Sequence, residues 1–386
     1  MVSAQDHRVH GMGTALEAPT WPAITAAEAE AILARFPAAG AMTALRWHSP
    51  RPFSAAALVE TEGGTFLLKR HHRQVRTAAA LAPEHAFMAH LRSAGLSVPE
   101  VMLTDECCGA TENGDWTYEL HRSAPGLDLY RDRPSWTPFL SHRHAHEGGA
   151  ALARLHLAAR GFDAGPRGDH PLVASFTILP APDPLAAAQA YVAARPALAA
   201  FLAGEPWHQE LARLFAALGA GLSPQLARQP TLWTHGDWHP SNLLWSQEGE
   251  DAGTVVTTFD FGLAAQTCAL HDLATAIERT AIPWLEPDHT PADAQAALAL
   301  LAGYHTVLPL SREDVATTIA LLPLVHIEFA LSEVDYFAGI LADPDQAALA
   351  WQGYLIGHAD WFLSPAGQDF LAQVRNGAHA HKEPNA

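Results

Sequence analysis

The stretch HGDWHPSNLLW, residues 235–245, packs one acid, two histidines and an asparagine into a proline-containing turn between apolar runs. Residues 257–262, TTFDFG, follow it with a second acid trailed by a glycine. Phosphoryl transfer asks a protein for just such groups: a carboxylate to orient the attacking hydroxyl, oxygen ligands for magnesium, and a cation on the phosphates. On this pattern Asp237 is the candidate base and Asn242 a candidate magnesium ligand, because a bulged loop turns both side chains toward one point. Asp260, at the end of an apolar strand, is the second candidate ligand, since Mg²⁺ prefers hard oxygen donors and takes few carboxylates. Upstream, Lys69 on a strand is the candidate phosphate cation, and Glu84, in the first turn of a helix, is placed to orient that lysine through an ion pair.

Composition narrows the alternatives. A chain of 386 residues, 49% of them hydrophobic, is long enough for two lobes. A formal net charge of -18 disfavours nucleic acid as a main partner and accepts cationic or neutral substrates more easily. The apolar runs fall short of the roughly 20 residues of a membrane helix, which predicts no membrane partner and a cytoplasmic location. Three cysteines, Cys107 and Cys108 adjacent, make no disulfide framework and suit a reducing compartment.

The pattern along the chain changes near residue 122. Residues 1–22 read as a loose arm. TAAEAEAILARF offers Thr25 and Glu28 as a capping box for a first helix. AALVETEGGTFLLKR reads as two strands about a Gly63-Gly64 turn with Lys69 near the end, and PEHAFMAHLRSAG as a helix opening on Pro83 and stopping at Gly95. Further strand-like pieces lie at 100–104 and 116–120. Beyond 122 the patterns are mostly helical, interrupted by TLWT and TVVTTF around the acidic turns, with a Pro/Gly/Asp-rich loop over 162–190 and a frayed tail at 376–386. The fold class this predicts is α+β, with a strand-rich lobe over 23–121 and a helical lobe over 122–375.

H-G-D-x-x-x-x-N followed by D-F-G, with a strand lysine and a helix glutamate upstream, resembles the aminoglycoside phosphotransferase and choline kinase family of kinase-like enzymes. The likeness runs over roughly residues 25–365 and extends to GGAALARLH at 148–156 and HDLATAI at 271–277. The N-terminal helix and the general run of the chain resemble the homoserine-kinase-type branch more than dedicated antibiotic-resistance enzymes. The resemblance implies a two-lobed kinase-like fold and an ATP- and Mg²⁺-dependent transfer to a small-molecule alcohol. It also implies a hinge near 118–121, with the backbones of Glu119 and His121 against adenine, and Asp272 bracing the catalytic loop. No G-x-G-x-x-G precedes Lys69, so SPRPFSAAALVE would cover the phosphates with Ser54 and backbone amides. Gly236 replaces the arginine that protein kinases use to read a phosphorylated segment, and only nine residues separate Gly262 from Asp272. A small molecule is therefore preferred over a protein serine or threonine; a nucleotide-binding module without turnover is the other rival.

Each residue has a plainer competing role. A single Asp or Asn in such a turn is usually a cap; their joint spacing with Asp260 is what argues otherwise. His235 fits a buried scaffold role, and His239 is balanced between touching substrate and capping the turn. HRHAH at 142–146 sets two histidines one helical turn apart, but without a third ligand of matching spacing it reads as a solvated face. Glu328 and Asp335, on one helical face with Glu333 nearby, are acidic candidates for an ammonium-bearing alcohol, because the family's late helices border the acceptor pocket. Trp351, Tyr354 and Trp361 fit core packing better than an aromatic pocket wall.

Overall fold

The computed structural model describes residues 8–10, 16–131, 133–167, 170–173, 175–247, 253–286 and 290–380. The α+β class is borne out. Antiparallel strands Met42–His48, Ala55–Thr61, Gly64–His72, Trp116–Arg122 and Glu100–Val101 lie side by side in that order, and Ala110–Asn113 also pairs with Trp116–Arg122. Alternation along the strands divides the sheet chemically. Phe66, Leu68, Tyr118 and Leu120 join Ile32, Leu33 and Phe36 in a small core under the helix Ala26–Leu33. That helix starts on the Thr25/Glu28 capping box. The opposite residues, Lys69, His71, Glu119 and His121, are polar yet buried, and face the helix Ala78–Ser93 and the cleft.

The second lobe is helical around two small hairpins. Thr231–Thr234 pairs with Ala265–Cys268, and Leu243–Trp245 with Val255–Thr258, so residues 235–242 and 259–264 emerge side by side. Helix Ala269–Ala281 follows strand Ala265–Cys268 directly, and His142–Ala158 packs along Ala294–Val307 behind it. Reciprocal bonds between Leu127 and Trp245, 2.8 and 2.9 Å, tie the connection between lobes to the hairpin of Leu243–Trp245 and Val255–Thr258. No single helix among the described residues is long and apolar enough to cross a membrane.

Several boundaries differ from expectation. The described part of the N-terminal arm is not loose: Val9–His10 pairs with Leu16–Glu17, Trp21 stacks on His72 at 5.0 Å, and its indole N–H donates to Tyr336 of the other lobe at 3.1 Å. The arm's apolar ring is what fastens it. Residues 1–7 and 11–15 lie outside the described residues, as do 381–386 of the tail; helix Pro365–Ala380 runs through the tail's expected start. The helix expected from Pro83 begins at Ala78 because Thr77 caps it, leaving Pro83 inside. The loop over 162–190 ends at Asp183, which caps helix Pro184–Ala193; residues 168, 169 and 174 are not described.

Phe66 is fully buried in the small core of the strand-rich lobe. Phe66→Ala is expected to cost about 3–5 kcal/mol, read as a lower urea midpoint at unchanged m-value.

Candidate active site

The loop that carries Asp237 is held from below by one carboxylate. Asp272, fully buried on helix Ala269–Ala281, accepts the backbone N–H groups of His235 and Gly236 at 3.0 and 2.9 Å and His156 Nε2 at 3.0 Å. Burial pushes this carboxyl up, but His156, His235 and the Gly236 amide outweigh it and keep it ionised below the usual range. His235 donates through Nε2 to Phe259 O at 2.9 Å and accepts the Asp237 N–H at Nδ1, so it links the two acidic turns as scaffold. Gly236 sits at φ +75°, and a Cβ there would lie 2.5 Å from Leu263 O. Both the backbone sign and the neighbouring turn demand glycine, and an arginine is excluded on the same grounds.

Asp237 and Asn242 meet. Asn242 Nδ2 donates to Asp237 O at 2.9 Å and Asp237 Oδ2 at 3.1 Å and lies 3.1 Å from His239 Nε2, which leaves the amide oxygen free for a cation. His239 is buried beside Asp237 at 3.4 Å while lining the cavity. The other Asp237 oxygen binds Arg279 Nη1, which also donates to Gly236 O at 3.1 Å. Burial raises the Asp237 carboxyl, but His239 and Arg279 hold it well below the carboxylate range, so it is ionised at any neutral pH. Arg279 was not among the sequence candidates. Its signal was its place seven residues after Asp272, two helical turns along one face.

Asp260, at φ +73°, is a non-glycine residue in the left-handed region and aims its carboxylate at Lys69 Nζ, 2.9 Å away. Lys69 is buried and 3.5 Å from Glu119 Oε1, its neighbour across the sheet. Burial opposes its charge, but Asp260, Glu119 and Glu84 outweigh that and raise its pKa.

The expected Lys69–Glu84 pair is corrected. Glu84 Oε2 instead accepts Arg167 Nη2 at 3.3 Å, and Arg167 donates to Gly262 O and Ala264 O at 3.0 Å each. Arg76 reaches the same Gly262 carbonyl at 3.2 Å. Glu84 thus anchors the segment that follows Asp260, and the strand partner Glu119 takes the lysine. The hinge assignment is corrected with it. Residues 118–121 lie inside a strand paired on both edges, Glu119 with Lys69 and Ala110, His121 with Leu67 and Val101. Their backbones are spent on the sheet, and the connection between lobes begins after Arg122. The contribution of Glu119 and His121 is their side chains, His121 Nε2 donating to Glu119 Oε2 at 2.9 Å.

Asp237, His239, Asn242, Asp260 and Lys69 line one cavity of about 180 Å³, with Arg51 and Ser54 from the turn before strand Ala55–Thr61. Its other wall is Phe53, Trp136, Phe329 and Glu333. Neither Glu328 nor Asp335 reaches it. Glu328 is consumed by the 175–178 loop, accepting Ser175 Oγ at 2.6 Å, Thr177 Oγ1 at 2.8 Å, Thr177 N at 2.9 Å and Ile178 N at 3.0 Å; Asp335 accepts Leu198 N at 3.2 Å. Glu333, between them in sequence and on a different face of the helix, is the acid that lines the cavity. Its Oε2 is buried with no hydrogen-bond partner, and burial pushes its carboxyl up to about 8 against the pull of Arg279. Trp351, Tyr354 and Trp361 do not line the cavity.

The sequence matches the phosphotransferase enzyme family, named for APH, over residues 52–316. The chain belongs to that family. In fold it is similar to an aminoglycoside phosphotransferase from Alicyclobacillus acidocaldarius (19% identity, TM-score 0.51, 94% of this chain and 98% of that one). It is similar also to a microcompartment-associated aminopropanol kinase (17%, TM-score 0.55, 91% and 99%) and to an amicoumacin kinase in complex with AMP-PNP (15%, TM-score 0.51, 82% and 89%). No curated protein matches the sequence.

The two glutamates separate by experiment. Glu84→Gln is expected to lower stability by about 3–5 kcal/mol, because Arg167 is left buried without a counter-charge, while KM for ATP stays within about threefold. Glu119→Gln is expected to raise KM for ATP about tenfold or more through Lys69. Chemical denaturation and steady-state kinetics on both variants check this.

Proposed function

We propose that this chain moves the γ-phosphoryl group of ATP, with Mg²⁺, to the hydroxyl of a small amine-bearing alcohol. The observation that carries the proposal is the convergence of Asp237, Asn242, Asp260, Lys69 and an unpartnered Glu333 on one cavity. Lys69 would hold the ATP phosphates. Asn242 Oδ1 and the Asp260 carboxylate form the hard-oxygen donor set that suits magnesium, which when bound offsets the charge on the phosphates. Asp237 would accept a hydrogen bond from the acceptor hydroxyl, orient its oxygen in line with the γ-phosphorus and take its proton as the new P–O bond forms and ADP departs. A depressed pKa suits this role, because a loose transition state needs orientation more than a strong base.

Glu333 supports a cationic acceptor. A buried carboxyl lacking a partner costs about 1–3 kcal/mol, and an ammonium group would supply both the hydrogen bond and the counter-charge. Trp136 and Phe329 offer aromatic faces to the same cation, as they already do to Arg279, at 4.7 and 5.2 Å. A protein acceptor is disfavoured because strand Ala265–Cys268 and helix Ala269–Ala281 follow Gly262 at once, with no segment between to seat a peptide.

The test is ATP consumption with magnesium over a panel of amino alcohols, neutral alcohols, sugars and aminoglycosides. Amine-bearing acceptors are expected to lead, and Asp237→Asn to lose at least about 10³-fold in kcat while binding ATP normally. Wild-type turnover in that variant would remove Asp237 from its role. The pH profile gives a second check. Below pH 8 Glu333 is mostly protonated in the free enzyme and cannot pair with an ammonium, so kcat/KM should climb about tenfold per unit up to about 8. Glu333→Gln should flatten that limb and lower its plateau.

A further inference from the structure

Beside Lys69, on the same face of the sheet but under helix Ala78–Ser93, three imidazoles close on one carboxylate. His85 Nε2 and His121 Nε2 donate to Glu119 Oε2 at 2.7 and 2.9 Å, and His71 Nε2 donates to Oε1 at 3.0 Å. Strand alternation puts Glu119 and His121 on one face, and helix Ala78–Ser93 brings His85 over them. The ligand atoms of His85, Glu119 and His121 all lie within 4.8 Å of one another.

We infer that His85, His121 and Glu119 form a binding site for a transition-metal ion of the Zn²⁺ class, which would clamp helix Ala78–Ser93 to strand Trp116–Arg122. Two imidazole nitrogens and one carboxylate oxygen are a zinc-type donor set, with bonds of about 2.0–2.2 Å and a fourth position open to water. Each imidazole keeps one proton on binding, moved from Nε2 to Nδ1, so Nε2 can coordinate. The ligands are held from outside, as metal ligands are. Glu119 Oε1 is fixed by His71 and by Lys69 at 3.5 Å, so the metal takes the opposite oxygen. A Cβ on Gly109 would collide with His85 Nδ1, so glycine there gives the ring its room. His85 stands at the outer side of the cluster: it lines a groove with Cys107 and Cys108, whereas Glu119 is fully buried. This site is separate from the Asn242–Asp260 pair, since Lys69 stands between Glu119 and Asp260.

The test uses the full chain, stripped with chelator and without nucleotide, titrated with Co²⁺ and then Zn²⁺. One equivalent of Co²⁺ should give visible d–d absorption that Zn²⁺ displaces, and Zn²⁺ should raise the melting temperature. His85→Ala and, separately, His121→Ala should weaken this binding by at least about 100-fold; Asp260→Asn and the double change Cys107→Ser, Cys108→Ser should leave it intact. X-ray absorption of the zinc-loaded wild type, which needs no variant to fold, should show two imidazoles and no sulfur. Absence of the band, its survival in both histidine variants, its loss in Asp260→Asn or the double serine variant, or sulfur scattering would each overturn the inference.

Discussion

The site depends on one buried charge. Asp272 has no solvent to stabilise it and is ionised because two backbone amides of the catalytic loop and His156 point at it. That dependence is mutual. The loop's tight turn at Gly236 leaves two N–H groups facing inward, and an unpaired buried amide costs about as much as a lost hydrogen bond. Position therefore flows outward from Asp272: the loop fixes Asp237 and Asn242, and His235 carries the alignment across to Phe259 and the Asp260 turn. The next turns of the same helix deliver Arg279 to Asp237.

The carboxylates in and beside the cavity meet a cation before any ligand arrives. Lys69 divides itself between Asp260 and Glu119, Arg279 neutralises Asp237, and Arg167 and Glu84 cancel in the interior below the Asp260 turn. Glu333 is the exception, an acid with an idle buried oxygen. In a low-dielectric site the unbalanced group says most about the missing ligand. The lobes also touch outside the linker, where Phe53 packs edge-on to Tyr336 at 5.6 Å and Trp21 bonds to the same tyrosine. These contacts join the lobes at the cavity wall, which Phe53 lines.

The sequence carried the fold class and the catalytic turns because both are local. Alternation shows in residues 55–72, and the Asp237, Asn242 and Asp260 spacings survive folding as neighbours. What stayed hidden depends on register or rotation. Nothing in WTYEL says that Glu119 lies opposite Lys69; the strand pairing decides it, and the helix glutamate was chosen in its place. The strand's last two residues, His121 and Arg122, were similarly unreadable, which put the hinge too early. On helix Ile327–Asp335 Glu333 lies on a different face from Glu328 and Asp335, and only packing reveals that Glu328 binds the 175–178 loop and Asp335 the first turn of helix Pro196–Leu202 while Glu333 meets the cavity. Arg279 had a legible cue in its two-turn offset from Asp272, although an arginine on a helix is ordinarily solvated.

The central claim is that side chains from separate turns converge on one cation beside the terminal phosphate of ATP. A crystal structure with Mg²⁺ and a non-hydrolysable ATP analogue tests it most directly. The account requires Asn242 Oδ1 and an Asp260 carboxylate oxygen at about 2.0–2.1 Å from the same magnesium ion, with Lys69 on the phosphates. Magnesium held by other side chains, or a nucleotide seated away from Lys69, would contradict it.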